Sequence, residues 1–106
     1  MGADAVPEQA EAWLGYLEAT RRASDHTLAA YRRDLRLLQG LLAERGVADP
    51  AAADVPAIRQ SVASLHRRGL SPRSIQRFLS ACRGLFGYLV SQGHMAANPE
   101  IGRAHV

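Results

Sequence analysis

Residues 71–93 read SPRSIQRFLSACRGLFGYLVSQG, and this stretch decides the fold class. Its apolar side chains recur at helical spacing throughout, which predicts one long amphipathic helix over residues 72–92. Ser71 is suited to cap the helix, Pro72 to the first helical position, and Gly93 to the residue just past the end. At a rise of about 1.5 Å per residue this helix spans roughly 30 Å, about the width of a small domain.

Three further helices are predicted ahead of it, over residues 8–22, 25–45 and from about 54–56 to 68. Their apolar stripes are, in chain order, Ala10, Trp13, Leu14 and Leu17; Leu28, Tyr31, Leu35, Leu38 and Leu42; and Val55, Ile58, Val62 and Leu65. Ser24 is a plausible cap of the second helix, and Gly46 and Gly69 follow the second and third. Strand signals are nearly absent. The sequence therefore predicts an all-α fold, a compact bundle of four main helices.

The length of 106 residues fits one domain with its own hydrophobic core, and 47% of the residues are hydrophobic. We expect an N-terminal extension over 1–7, a helical domain over 8–93 and a departing segment over 94–106. The single cysteine excludes a disulfide scaffold, and no apolar run reaches the roughly 20 residues of a membrane helix. The N-terminus also lacks the basic region of a signal peptide. We expect a soluble domain located in the cytoplasm.

The net charge of +3 is unevenly distributed along the chain. Residues 1–20 carry four acids and no base, residues 21–36 carry five Arg and two Asp, and residues 59–83 carry six Arg and no acid. Two separated basic blocks favour a polyanion as the partner. All 13 basic residues are Arg, a bias that carries little information about phosphate recognition.

Catalysis is hard to build from these residues. The four histidines lie in different segments without metal-ligand spacing, and Cys82 falls on the apolar stripe of the fourth helix, where a thiol is inert. No paired carboxylates, phosphate loop or nucleophile motif is visible. We therefore predict no catalytic residue, no metal site, no cofactor and no small-molecule ligand in this chain.

The fourth helix presents Arg73, Arg77, Ser80 and Gly84 on the ridge opposite its apolar stripe. Like charges four residues apart do not stabilise a helix, so the two cations serve another purpose or form a solvated face. Glycine inside a helix costs about 1 kcal/mol relative to Ala. A close approach by another backbone, of a helix or of a nucleic-acid strand, would explain Gly84 and the nearby Gly87.

The second helix repeats this arrangement, with His26, Arg33 and Arg36 on the flank away from its seam. A major groove is wide enough for one helix, so two such helices could straddle a duplex. Leu37 and Leu41 lie off the seam. They either cover a neighbouring helix, which we favour, or contact a partner subunit.

Two blocks of the sequence resemble a known family. The first is Ser24-x-x-Thr27-x-x-x-Tyr31-x-x-Asp34-Leu35. The second begins at Gly69-Leu70-Ser71 and continues through Ser74-Ile75, Arg77, Leu79-Ser80-Ala81, Arg83, Phe86, Tyr88-Leu89 and Gly93 to Asn98-Pro99. Both are similar to the SAM-like core-binding domain of Xer-type tyrosine recombinases and phage integrases. The resemblance covers residues 8–102.

The resemblance implies that the chain clamps one face of a recombination half-site on double-stranded DNA, beside further recombinase subunits. It also implies that the catalytic domain, with its nucleophilic Tyr, lies beyond this sequence, after a linker that starts within 94–106. The implied DNA-binding residues are His26, Thr27, Arg33, Arg36, Arg73, Ser74, Arg77, Ser80 and Arg83. Of these, Arg73 and Arg77 are expected in the major groove, and the residues of the second helix and Arg83 mainly at phosphates. Chromosome-dimer resolution in chromosome partition, phage integration and transposon movement all stay open as roles.

Two other readings fit the same pattern. In the first, the chain is a helical protein-interaction module, docking through Leu37, Leu41 and the face of Gly84 and Gly87, with a solvated Arg surface. In the second, it is an unrelated small regulator whose 69–71 connection imitates the tight turn of a helix-turn-helix.

Overall fold

The computed structural model describes residues 7–96 and confirms the all-α prediction. Four α-helices follow one another in these residues, and none of them forms a strand. Their bounds are Glu8–Arg21 for α1, Asp25–Ala43 for α2, Val55–Arg67 for α3 and Pro72–Ser91 for α4. A single 3-10 turn, Pro50–Ala52, lies in the connection between α2 and α3. Each helix ends one or two residues before the predicted limit.

The beginnings of three helices are fixed by side-chain caps. The Ser24 hydroxyl oxygen accepts the Thr27 N–H at 3.1 Å, and the Ser71 hydroxyl oxygen accepts the Ser74 N–H at 3.1 Å. Both caps were predicted from the sequence. Asp54 caps α3 in the same way, through the Ala57 N–H at 3.0 Å. Each cap satisfies an N–H that has no partner within its helix.

The ends of α2, α3 and α4 are followed by glycine in the left-handed conformation. Gly46, Gly69 and Gly93 have φ of 78°, 83° and 80°, which confirms their predicted role as helix stops. α1 ends differently, because Arg22 takes a φ of 53°. A side chain in this region is uncommon.

The core lies among all four helices: α2 and α4 share the most extensive contact, and α1 and α3 each pack against both of them. The apolar stripe of α4 is buried along its length, and Phe78 and Phe86 are fully enclosed. Leu41 is 1% exposed and belongs to this core, while Leu37 packs against it. These two residues therefore cover neighbouring helices, as the favoured reading predicted.

The buried face of α3 differs from the prediction. Val55 and Val62 are only partly buried, whereas Ser61 and Ser64 are buried together with Ile58. The Ser61 hydroxyl donates to the Ala57 carbonyl oxygen at 2.9 Å, so it enters the core with its hydrogen bond satisfied. The prediction followed the spacing of the larger apolar residues, so it included the two valines and left out the two serines of the buried face.

Gly84 makes room for the side chain of Trp13 and not for a neighbouring backbone. A Cβ at residue 84 would overlap the indole at Cζ2 and lie 2.8 Å from Cη2. Trp13 is 5% exposed and stacks on Tyr31 with ring centroids 5.6 Å apart. This corrects the expectation of a close backbone approach, and it shows that Trp13 anchors α1 against α4.

The predicted N-terminal extension and linker fall mainly on residues 1–6 and 97–106, outside the described residues. None of the helices within residues 7–96 is long and apolar enough to cross a membrane.

Candidate nucleic-acid interface

The first turn of α2 and the second turn of α4 share one surface depression. It has a volume of about 260 Å³ and is lined by His26, Thr27, Ala30, Tyr31 and Arg77. His26 is exposed and Thr27 is half-buried. The structure thus brings together three of the residues singled out in the sequence, from two helices.

Arg77 is held in this depression by a two-point ion pair with Asp34 of α2. Its Nε donates to Oδ2 at 2.8 Å and its Nη2 donates to Oδ1 at 3.0 Å. The Asp34 side chain is 4% exposed and that of Arg77 is 38% exposed. The hydrogen bonds from Asp34 raise the pKa of Arg77 above its ordinary value, so its charge is permanent. The helical spacing had suggested that Arg77 is a free cation on the outer ridge of the fourth helix. The structure shows instead that it is paired with Asp34.

Asp34 was missed as a functional residue in the sequence, although a signal for it exists. It directly precedes Leu35 and lies four residues before Leu38, both of which are buried. An acid on the buried arc of a helix must find a hydrogen-bonding partner there. The helical period alone does not show which of the arginines supplies it.

Arg73 and Ser74 lie at the start of α4. Arg73 is exposed and has no hydrogen bond or ion pair to another residue in the described part of the chain. Ser74 is half-buried, and its hydroxyl accepts from the Ser71 hydroxyl at 3.1 Å. Ser74 thus forms part of the helix cap, while Arg73 points a permanent charge into solvent.

Ser80 and Arg83 line a second depression, with a volume of about 550 Å³, between α4 and α1. The Nη2 atom of Arg83 donates to the Ser80 hydroxyl at 3.4 Å. Tyr31 lines both this depression and the one at Arg77, so the two are neighbours. Arg21 at the end of α1 adds a further cation to the rim.

Arg33 and Arg36 lie in a different groove, which has a volume of about 680 Å³. Both are exposed, and Arg68 from the end of α3 lines the same groove. Arg33 follows His26 by seven residues, so the two share one face of α2 two turns apart. Arg33 and Arg36 therefore extend the exposed surface of α2 beyond the His26 depression, but they do not line that depression.

α1 is tied to α2 by an ion pair at the surface. The Arg32 Nε and Nη2 atoms donate to the two carboxylate oxygens of Glu11 at 3.1 and 2.9 Å. These hydrogen bonds, together with the charges of Arg32 and Arg36, lower the pKa of Glu11 from its ordinary 4.5 although partial burial opposes the shift. The positive charge of Arg32 is thereby paired with Glu11, whereas Arg33 and Arg36 form no ion pair among the described residues.

We predict that Glu11→Gln lowers the free energy of unfolding by less than about 1 kcal/mol near neutral pH, because the pair is half exposed. A carboxyl whose pKa is lowered by folding stabilises above its unfolded pKa, and this contribution is lost as the pH falls through the folded pKa. The difference from the unsubstituted chain should therefore shrink as the pH falls below about 4.3, the ordinary pKa of an unfolded Glu. Urea unfolding near pH 7 and near pH 3 checks this. Glu18→Gln is the control, because Glu18 is an exposed acid of α1 that acts on Arg32 only through a weaker charge interaction. A difference for Glu11→Gln that is as large near pH 3 as near pH 7 would contradict the assignment.

No three His, Cys, Asp or Glu side chains within residues 7–96 are grouped so that they could hold a metal ion. Cys82 is buried in the core. Tyr31 and Tyr88 both pack against other aromatic rings, Trp13 and Tyr16 respectively.

Residues 10–93 match the model of the phage integrase N-terminal SAM-like domain family. No solved structure matches the chain at a significant level.

Curated relatives carry the name tyrosine recombinase XerC. The protein from Xanthomonas campestris pv. campestris (strain B100) is 46% identical over 98 residues, which are 92% of this chain and 30% of the relative. The protein from Xylella fastidiosa (strain M23) is 44% identical over 92 residues, or 87% of this chain and 31% of the relative. That from Pseudomonas putida (strain F1) is 43% identical over 97 residues, or 92% and 32%. The chain thus spans about a third of the length of these relatives.

The family match covers all four helices except the first residues of α1. It includes the first block of sequence that carried the resemblance and the second block as far as Gly93. Each of the residues assigned above to the α2 and α4 surfaces lies inside it. On this ground the chain belongs to the phage integrase N-terminal SAM-like domain family.

Proposed function

We propose that this chain is the DNA-holding module of a tyrosine recombinase, and that it grips duplex DNA with the exposed faces of α2 and α4. The depression shared by His26, Thr27 and Arg77 carries the proposal, because it joins the first turn of α2 to the second turn of α4. The N-terminal turn of α2 thus meets the side of α4 at one surface. Helix N-termini favour anions such as phosphate.

The charges around this surface support the same partner. Arg33, Arg36 and Arg73 are exposed and form no ion pair among the described residues. Arg83 adds an exposed cation on α4. A surface that combines such cations with two helix beginnings suits a polyanion with regularly spaced phosphates.

The remaining parts of the proposal come from the family. The relatives are named tyrosine recombinases, so breaking and rejoining of DNA strands belongs to the proposed whole protein, of which this chain supplies the DNA contacts. Further recombinase subunits assembled on the same DNA are its proposed partners. A cytoplasmic location is part of the proposal, since cellular DNA is the intended ligand.

The protein-interaction reading has lost two of its supports. Leu41 is buried in the core, and Gly84 is covered by Trp13. Among the described residues, Tyr16 is the exposed large hydrophobic side chain, at 45%. Little apolar surface is therefore left for a partner helix. The third reading, an unrelated regulator, is set aside by the family match.

We predict that the double variant Arg33→Gln/Arg73→Gln binds duplex DNA more weakly and with a shallower salt dependence. Each lost phosphate contact should reduce the slope of log K against log salt by about 0.9. Fluorescence anisotropy with a labelled random-sequence duplex, at several salt concentrations, measures both quantities.

The matched control is Arg59→Gln/Arg67→Gln, which removes the same charge from exposed positions on α3. These two residues line none of the three grooves described above. The control should keep most of the affinity and slope. Equal losses in both double variants would show that only net charge matters, and the proposed face would be abandoned.

A further inference from the structure

We propose that Asp34 is a positioning residue for DNA binding, which presets the outer edge of Arg77 to donate two parallel hydrogen bonds to acceptors on the DNA. The inference rests on the proposed function and assigns a role to a buried acid that does not touch the ligand. It also changes the role of Arg77 from a mobile charge to a fixed hydrogen-bonding group.

The geometry of the ion pair determines which donors remain. A guanidinium has five N–H groups in one plane. Asp34 accepts from Nε and Nη2 at 2.8 and 3.0 Å, so it occupies the inner edge of the guanidinium. The two Nη1 hydrogens and the second Nη2 hydrogen are left. The free Nη2 hydrogen and the neighbouring Nη1 hydrogen form the outer edge, whose spacing matches two neighbouring oxygen or nitrogen acceptors.

The outer edge is accessible and lies at the proposed surface. The Arg77 side chain is 38% exposed although its partner is only 4% exposed. It lines the depression shared with His26 and Thr27. Two acceptors that fit there are the oxygens of a phosphate or the O6 and N7 atoms of guanine.

Positioning by Asp34 has an energetic consequence. A long side chain loses rotamer entropy when it is immobilised by a ligand, and this loss reduces affinity. Arg77 has already lost that freedom in the folded chain, because a buried carboxylate holds it at two points. The pair is also electrically neutral as a unit. Arg77 should therefore contribute hydrogen-bond geometry and add little to the salt dependence of binding.

The test uses Asp34→Asn, because positioning and simple electrostatics predict opposite signs. Removing an acid beside a DNA-binding surface should tighten binding if only charge matters. We expect the variant to bind a labelled duplex about 3- to 10-fold more weakly, the range for a side chain that must be ordered on binding. The slope of log K against log salt should not become shallower, and it should steepen by no more than about 0.9, the value for one phosphate contact of the uncompensated Arg77.

Glu11→Gln is the matched control. It too removes an acid that holds an arginine at two points, and Arg32 lies outside the Arg77 depression. This control should bind DNA as well as the unsubstituted chain or better. If Asp34→Asn, folded by circular dichroism, also binds as well or better, the inference is overturned.

Arg77→Lys keeps the test decisive if Asp34→Asn does not fold. Lysine retains the charge beside Asp34 and loses the planar fork, so affinity should fall by a similar factor with little change in salt slope. An unchanged affinity overturns the inference. Comparing G·C-rich with A·T-rich duplexes separates the two acceptors: a loss restricted to G·C-rich DNA identifies guanine, and a uniform loss identifies phosphate. If Arg33→Gln/Arg73→Gln weakens binding while these variants do not, the positioning role fails and the DNA-binding face stands.

Discussion

Replacing Arg77 by alanine is expected to lower the free energy of unfolding by about 3 kcal/mol, which is a large effect for a partly exposed side chain. The cause lies in the partner, because Asp34 is 3% exposed and would lose both of its hydrogen-bond donors. Removing one member of a buried pair costs more than the pair contributes, since the other charge stays desolvated. The partial exposure of Arg77 lets some water reach the carboxylate, which places the effect at the lower end of the usual range.

Urea unfolding followed by circular dichroism measures this loss. Arg73→Ala is the control, since it removes an exposed cation one turn earlier in α4, and it should change stability by no more than about 0.5 kcal/mol. The double variant Arg77→Ala/Asp34→Ala should recover part of the loss, because no uncompensated charge is left behind. If Arg77→Ala is no more destabilising than Arg73→Ala, the ion pair does not hold α2 to α4.

Gly84→Ala is expected to destabilise the domain by a net of up to about 2 kcal/mol, although alanine is the better helix former. The added methyl would overlap Cζ2 of Trp13 and lie 2.8 Å from Cη2. The indole cannot easily move aside, because it is 5% exposed and stacked on Tyr31. Overpacking of this kind costs about 1–3 kcal/mol, and the gain in helix propensity returns only about 1 kcal/mol.

Gly15→Ala gives the opposite sign and serves as the control. Gly15 is an exposed residue of α1, and a Cβ there would meet nothing within 4 Å. It should therefore stabilise the domain by up to about 1 kcal/mol. Thermal unfolding resolves the two signs, since about 1 kcal/mol shifts the midpoint by roughly 4–8 °C in a domain of this size. In a Trp13→Phe background the cost of Gly84→Ala should shrink, and an undiminished cost would mean that the clash lies elsewhere.

Local chemistry explains why the helices were predictable. Ser24 and Ser71 cap their own helices, and Gly46, Gly69 and Gly93 take the left-handed conformation just past helix ends. Each of these signals acts within about four residues, so the sequence order alone displays it. The long apolar stripe of α4 was equally legible, because it repeats one period over five turns.

Pairing between helices was not predictable in the same way. Asp34 and Arg77 are separated by 43 positions, and their meeting depends on how α2 and α4 are rotated and shifted against each other. The same holds for Trp13 and Gly84, where the sequence showed an unusual glycine but not what fills its place. The burial of Ser61 and Ser64 in α3 was not predicted, because serine counts as a polar residue in a helical pattern. Its hydroxyl can nevertheless be buried when it hydrogen-bonds within its own helix, as that of Ser61 does.

The candidate surface was predicted as a set of side chains and not as a shape. The nine residues singled out do lie on α2 and α4, but seven of them are distributed over three grooves, and Arg73 and Ser74 line none of the three. Arg77 shares a depression with His26 and Thr27, whereas Arg33 and Arg36 line another with Arg68. A helical wheel gives each residue an angle on its own helix, while a groove is formed by two helices together.

The docking of Trp13 against Gly84 has a practical consequence for spectroscopy. The chain has one tryptophan, and that indole sits at the seam between the first and last helices beside Tyr31. Its fluorescence therefore reports on one contact, that between α1 and α4, whereas far-ultraviolet ellipticity averages over all four helices. Detachment of α1 alone, with the other three helices intact, would be visible in the first signal and nearly silent in the second.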